Sequence, residues 1–307
     1  MNEADFIAAL RELPLHRGAR DLRDDAGIVG AYVVTTDTLV EGVHFLPDDA
    51  AGDVAWKLVA ANLSDLAAMG ALPEGVLLNY PLTEAGWDRA FVAGLGEVLA
   101  AFDCPLIGGD TVSLPADSAR VLTVTAIGRD ARAPSRTGAR AGDALWVTGT
   151  IGDAGAGLAI ARRAEGPDAL LARYRRPRPR LAEGRALGPV VHAMSDVSDG
   201  LLIDAQRMAA ASGVAVTVDL SQVPISRELR GFAFDRLAAA TAGDDYELLF
   251  ALPEGVAPPV HATRVGSFTR GTGLSLREGA RPVRLPARLG YEHAPDPNGL
   301  PVASPDL

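Results

Sequence analysis

Strands alternating with helices through both halves of a 307-residue chain predict an α/β or α+β layered architecture in two domains. Three observations carry this expectation. Short β-branched runs such as Val33-Val34-Thr35-Thr36 are separated by longer helical stretches. A segment rich in Arg, Ala, Gly and Pro, Ala131 to Gly142, divides the chain. The length allows two cores, and a composition 48% apolar but only 5% aromatic builds them from Ala, Val and Leu.

The elements follow in order. Ala4 to Leu13 reads as a short amphipathic helix, and Arg20 to Gly27 as a charged turn. The strand Ala31 to Thr36 ends at Asp37, and the loop after it, Thr38 to Pro47, carries Glu41 and His44. A helix then starts near Asp53, a good N-cap residue, and closes in Asn62-Leu63-Ser64-Asp65-Leu66-Ala67-Ala68-Met69-Gly70-Ala71. It is apolar nearly all round, so burial is expected, yet it carries Asn62, Ser64 and Asp65. A buried carboxylate requires a cation or a satisfied hydrogen-bond network. Next come a strand Gly75 to Tyr80, a helix Glu84 to Phe102, a short strand ending in Ile107-Gly108-Gly109-Asp110-Thr111, and a strand Arg120 to Gly128.

The second half opens with the strand Ala144 to Thr148 and a glycine-rich run, Gly149 to Gly157, entering a helix. Arg175 to Arg180 is a rigid basic loop. A strand at Ala193 to Ser195 runs into Asp196-Val197-Ser198-Asp199-Gly200, with a helix to about Ser212. Strand Val214 to Leu220, helix Ser226 to Ala240 and the run Gly243 to Phe250, returning to a strand, complete the pattern. The tail from Pro286 is Pro-rich and reads as loosely ordered, apart from Gly290-Tyr291-Glu292-His293. The domains are expected at residues 1–135 and 136–307.

A net charge of −10 argues against nucleic-acid binding by phosphate neutralisation and suits a protein that holds divalent cations. One cysteine, Cys104, rules out an internal disulfide or a multi-cysteine zinc site. The first residues lack the basic region of a signal peptide, and no apolar run approaches about 18 residues, so a cytoplasmic protein without a membrane span is expected. Neither a P-loop nor a Gly-x-Gly-x-x-Gly after a strand occurs.

The recurrent chemical feature is a carboxylate closing an apolar strand: Asp37, Asp110, and the pair Asp196 and Asp199. Ligands of open α/β sheets sit outside the carboxyl ends of strands, and carboxylates gathered there need cations. Oxygen ligands without a Cys or His cluster suit magnesium, which is commonly shared with substrate phosphates. The set points to metal-assisted phosphoryl transfer from a nucleotide; a turn or cap role is the competing reading for each aspartate alone. Gly149 to Gly157 serves either as a phosphate cradle or in close helix–strand packing. Arg136 is either a phosphate clamp or a solvated loop residue. His44 holds a substrate phosphate or caps a turn. Cys104 is a small buried side chain or, by type alone, a nucleophile.

These residues match a family. Thr35-Thr36-Asp37-Thr38-Leu39-Val40-Glu41-Gly42-Val43-His44-Phe45, the Asn62 to Ala71 block, Gly108-Gly109-Asp110-Thr111, Asp196-Val197-Ser198-Asp199-Gly200-Leu201 and Asp245-Tyr246-Glu247-Leu248 resemble the thiamine-monophosphate kinases, in order along nearly the whole chain. That family belongs with aminoimidazole ribonucleotide synthetase, selenophosphate synthetase and hydrogenase maturation factors. The resemblance implies an α+β, PurM-like two-domain fold, its N-terminal domains forming a dimeric β-barrel and its C-terminal α+β domain covering the site. It implies ATP-dependent phosphorylation of thiamine monophosphate to thiamine diphosphate, assisted by several Mg2+ ions, in a homodimer. By position, Asp25, Thr35, Thr36, Asp37, Asp65, Asp110, Asp196 and Asp199 would hold metal, with Asp65, Asp110 and Asp199 most critical and no general base. Gly109, Asp110, Arg136 and Ser198 would meet ATP; His44, Asp244 and Tyr291 would meet thiamine monophosphate, whose thiazolium cation suits an acid and an aromatic face. Arg23 stands where the family usually has Gly, and Asp244 where it has Glu. Competing readings are another ATP-dependent synthetase of the superfamily and a non-catalytic maturation factor. Selenophosphate synthetases call for a reactive Cys and a Lys near the N-terminus, and this chain offers Cys104 and its one lysine, Lys57, elsewhere; the hydrogenase type carries a C-terminal cysteine, where this chain ends Ser304-Pro305-Asp306-Leu307.

Overall fold

The computed structural model describes residues 3–115, 118–129, 134–163, 165–232 and 235–293. Its elements run α1 (Glu3–Leu10), β1 (Gly27–Val29), β2 (Tyr32–Val40), α2 (Ala51–Ala68), β3 (Leu72–Leu82), α3 (Ala85–Ala101), β4 (Leu106–Ser113) and β5 (Val121–Arg129). They continue with β6 (Asp143–Thr148), α4 (Asp153–Arg163), α5 (Asp168–Arg175), α6 (Leu181–Leu187), β7 (Ala193–Val197), α7 (Leu201–Ser212) and β8 (Ala215–Asp219). The last are α8 (Arg227–Gly231), α9 (Arg236–Thr241), β9 (Glu247–Pro253), β10 (Ala262–Thr269), β11 (Gly273–Glu278) and β12 (Arg281–Val283). Of the expected domain boundary, Ala131 to Ala133 lie outside the described residues, as does the tail after His293.

Two open sheets result, one on each side of that boundary. The first has the order β1-β2-β5-β3-β4, the second β12-β11-β8-β10-β6-β9-β7. Only β3–β4 and β8–β11 pair in parallel among the described strands. The architecture is α+β, with two mostly antiparallel sheets, rather than doubly wound. The strand-end argument holds for Asp199, just past β7, and needs correcting for the others: Asp37 lies in the middle of β2, Asp110 in the middle of β4, and Asp196 inside β7.

α2 explains its own composition. Leu58, Val59, Leu63 and Leu66 pack with Val33, Val76, Leu122 and Val124 in the core under the first sheet. Ala67 and Ala68 join a separate cluster with Leu187, Met194, Leu248 and Phe250 of the second half. The helix is wedged between the two sheets, so no face is left for polar residues. It begins at Ala51 rather than Asp53; Asp53 sits in the first turn, where the helix dipole stabilises a negative charge, and pairs with Arg176 at 2.5 Å. The expected helix Ser226 to Ala240 is instead α8 and α9, each with its own N-cap: Ser226 accepts from the Leu229 amide and Asp235 from that of Ala238. The basic loop is partly helical, ending α5; two of its arginines make ion pairs that cross to the first half, Arg176 with Asp53 and Glu97 and Arg175 with Asp49, while Arg180 pairs with Glu183 and Glu247 of the second half.

α6 packs so closely on the end of α2 that a Cβ on Gly184 would lie 2.0 Å from the Ala67 carbonyl oxygen. Gly184→Ala is expected to force the helices apart, costing about 1–3 kcal/mol. Denaturant titration should show a lower midpoint; an unchanged midpoint would refute this account of the interface.

Candidate active site

Three segments bring carboxylates together. Asp25 precedes β1, Asp65 lies in the last turns of α2, and Asp196 comes from β7 across the domain boundary. Their ligand oxygens all lie within 4.8 Å of one another. Each is locally held. Thr35 donates to Asp65, and Ser64 to Asp196 at 2.6 Å. Asn62 receives the Asp37 amide at 3.1 Å and donates to the Leu58 carbonyl, fixing β2 on the helix. The buried polar residues of α2 are thus its docking points to β2 on one side and β7 on the other.

Burial raises the carboxyl pKa of Asp25, Asp65 and Asp196, and neighbouring acids raise Asp65 further. Asp37 is pushed up to about 6 by burial, then by Asp25 and Asp199. Asp204, on α7, is pushed to about 7 by burial and by Asp199. Two guanidinium groups offset part of this charge. Arg136 pairs with Asp25 while its amide donates to Asp24 at 2.7 Å. Arg207 pairs with Asp199 and, at 3.2 Å, with Asp204. Six carboxylates thus share two guanidiniums. Nothing among the described residues hydrogen-bonds Asp25 Oδ2, which is buried. An all-oxygen donor set with a spare buried carboxylate oxygen and excess negative charge fits magnesium.

Beside this cluster lies a second group. The Asp244 amide donates to the Ser198 carbonyl at 2.7 Å, and the Tyr291 amide to that of Asp199 at 2.9 Å. Both segments are therefore pinned to the turn that carries the metal-type aspartates. The His44 ring lies 6.4 Å from that of Tyr291 and 5.5 Å from that of His293. The Val40 amide donates to His44 Nδ1 at 3.0 Å, which leaves the hydrogen of the neutral ring on Nε2. Burial lowers the His44 pKa, with Asp244 opposing. The side chain thus presents a neutral donor suited to an anionic group.

The sequence expectations fare unequally. Asp25, Thr35, Asp37, Asp65, Asp196, Asp199 and Arg136 meet at the first group, His44, Asp244 and Tyr291 at the second, and the Ser198 carbonyl holds the Asp244 amide. Arg23 is exposed, so its substitution for Gly leaves Asp25 in place. Thr36 is turned away: its hydroxyl donates to the Val124 carbonyl on the outer sheet face, leaving only its main chain to the cluster. Gly109 and Asp110 are not brought in. β4 is the exposed edge strand, and Asp110 is in register with outward-facing Asn79, on the sheet face opposite α2. In the Gly149 run the Gly152 and Ala154 amides are already taken by Asp245, at 2.8 Å and 3.5 Å, which favours the packing reading. Cys104 is buried and its thiol is pushed up to about 11, chiefly by burial, which makes it a packing residue. Sequence reasoning missed Asp204 and Arg207. Their i, i+3 spacing on α7, just after Asp199, was the available signal.

The chain matches the model of the AIR synthase related protein N-terminal domain over residues 23–129 and that of its C-terminal domain over 140–275. The fold and the acid cluster between its halves thus define an AIR synthase-related two-domain protein. Among curated relatives, a thiamine-monophosphate kinase of Caulobacter vibrioides is 38% identical, over 95% of this chain and 90% of its own. That of Escherichia coli K12 is also 38% identical, over 86% and 87%. The chain belongs to the thiamine-monophosphate kinase family, phosphotransferases acting on a phosphate group. Solved structures agree. AaThiL complexed with AMPPCP and TMP superposes with a TM-score of 0.86 at 28% identity, over 95% of this chain and 97% of that one. The thiamine-monophosphate kinase of Stenotrophomonas maltophilia gives 0.74 at 37% identity, over 90% and 96%. The hydrogenase maturation protein HypE, at 22% identity and TM-score 0.72, shares the fold.

Proposed function

We propose that this chain transfers the γ-phosphoryl group of ATP to the phosphate of thiamine monophosphate, giving thiamine diphosphate and ADP. The observation that carries the reading is the convergence of Asp25, Asp65 and Asp196 from both halves of the chain within 4.8 Å. Asp37 and Asp199 complete the set that would hold magnesium. Magnesium, when bound, neutralises phosphate oxygens and orients donor and acceptor. The protein's own part is positioning. Thr35, Ser64 and Asn62 fix the carboxylates. Arg136 and Ser198 face the nucleotide side, and the His44 Nε2 hydrogen is available to the acceptor phosphate. The aromatic rings of Tyr291 and His293 suit the thiazolium cation. No general base is required, because the acceptor is already a phosphate oxygen.

The reading includes a cytoplasmic homodimer. Leu106, Ile107 and Val112 of the edge strand β4 are exposed, as are Val121 of β5 and Tyr32 of β2. Such a face suits a second copy of the chain. Asp110 and Gly109 lie on this strand, so their part in metal and nucleotide binding belongs to the dimer. No helix among the described residues is long and apolar enough to cross a membrane.

The test is a panel of thiamine, thiamine monophosphate and the purine-pathway amidine, scored for ADP release with magnesium. Release only with thiamine monophosphate is expected. Release with the amidine, or with none of the three, would overturn the assignment in favour of another superfamily synthetase or a maturation factor.

A further inference from the structure

Lys57 is the only lysine of the chain, and it is 2% exposed. A buried ammonium demands partners for all its protons. Lys57 Nζ lies 2.6 Å from Asp244 Oδ2, 2.9 Å from the His44 carbonyl oxygen and 4.3 Å from the centroid of the Tyr174 ring. Asp244 Oδ1 accepts in turn from the Tyr246 hydroxyl at 3.0 Å. The Tyr174 hydroxyl donates to Asp49 at 2.7 Å, and Asp49 also receives the Leu46 amide at 2.8 Å.

These partners come from both halves of the molecule. Lys57 and His44 belong to the first; Asp244 and Tyr174 belong to the second. Asp244 sits at φ +68° and Tyr246 at φ +52°, a left-handed backbone that side chains other than glycine adopt only when held. The same short loop is fixed at its main chain by the Ser198 and Val197 carbonyls. Its side-chain tether to the first half is Lys57.

Resting on the function proposed above, we infer that Lys57 is a positioning residue for the phosphate-bearing acceptor. It ties the His44 loop to Asp244 across the domain boundary and so sets the distance between the two groups that face the acceptor. It also compensates the Asp244 charge, so that the carboxylate does not repel the acceptor's phosphate. Lys57 touches neither Arg136 nor the aspartate cluster, so ATP binding is expected not to depend on it.

Steady-state kinetics of Lys57→Met and Lys57→Arg, with thiamine monophosphate and ATP varied separately, test this. In Lys57→Met the KM for the acceptor is expected to rise at least about tenfold, the KM for ATP to stay within about twofold, and Lys57→Arg to recover part of the loss. A second readout needs no variant. With lysine labelled by 15N, the wild-type protein gives one side-chain ammonium signal, which should move on adding thiamine monophosphate but not on adding a non-hydrolysable ATP analogue. An unmoved signal, or a folded Lys57→Met protein with unchanged or equally raised KM values, would sink the inference. Wild-type turnover separates the two claims. Without it the function itself falls; with it, an unaffected acceptor KM removes only the role of Lys57.

Discussion

Asp65→Asn should abolish turnover while leaving a protein more stable than its parent without metal. Asp65 is the most crowded of the clustered acids: burial and the charges of Asp37, Asp196 and Asp25 all disfavour its ionised form. Asparagine fills the same space, still accepts from Thr35, and removes the charge whose burial is costly. It also removes a metal ligand at the point where both halves meet. Activity should fall at least about a thousandfold, corresponding to about 4 kcal/mol of transition-state stabilisation. The melting temperature of the metal-free variant should equal or exceed that of the parent, and magnesium should no longer raise it. A variant retaining more than a few per cent of activity would show that Asp65 serves the fold alone.

Removing divalent cations should silence the enzyme completely and change the pH dependence of its stability. The sign follows from the raised pKa values. Asp37, near 6, and Asp204, near 7, bind protons more tightly folded than unfolded. Their contribution to stability is fully present below the unfolded value and is lost as pH rises through the folded one. Without metal, the melting temperature should therefore fall between about pH 5 and pH 7.5. Magnesium favours the ionised carboxylates, so its stabilising effect should grow over the same interval. Differential scanning calorimetry at several pH values, with chelator and with magnesium, measures both. A magnesium effect independent of pH would place the ion elsewhere, and full activity in excess chelator would end the metal-assisted reading.

Much of the site was legible because its acids stand in local contexts that already look costly. An aspartate in a helix apolar on every side has few explanations, and Asp65 announced a compensated cluster. Asp196 and Asp199, beside a glycine that the turn requires at φ +131°, gave the opposite wall. That Asp110 stands apart from the cluster within one chain was not legible for a specific reason. Membership in a strand fixes neither its register nor its exposed face, and a period of two puts neighbouring residues on opposite sides. Only pairing with Asn79 reveals that Asp110 looks outward. Strand β10 went unread because a bulge between Arg264 and Gly266 breaks its alternation, and β11 and β12 because they are short, with only two buried leucines between them. Lys57 was visible as a residue but not as a contact, since Asp244 lies 187 positions further on.

The wedging of α2 bears on how such a protein can be cut. Though each sheet has its own core, the first half alone would leave Ala67, Ala68 and Ser64 without cover, and the second half alone would bare Met194, Leu248 and Phe250. Fragments expressed on either side of the boundary should therefore be sticky and poorly soluble, and should regain order only when mixed. In hydrogen-exchange terms the α2 amides would open only with the whole molecule, making the two sheets a single cooperative unit.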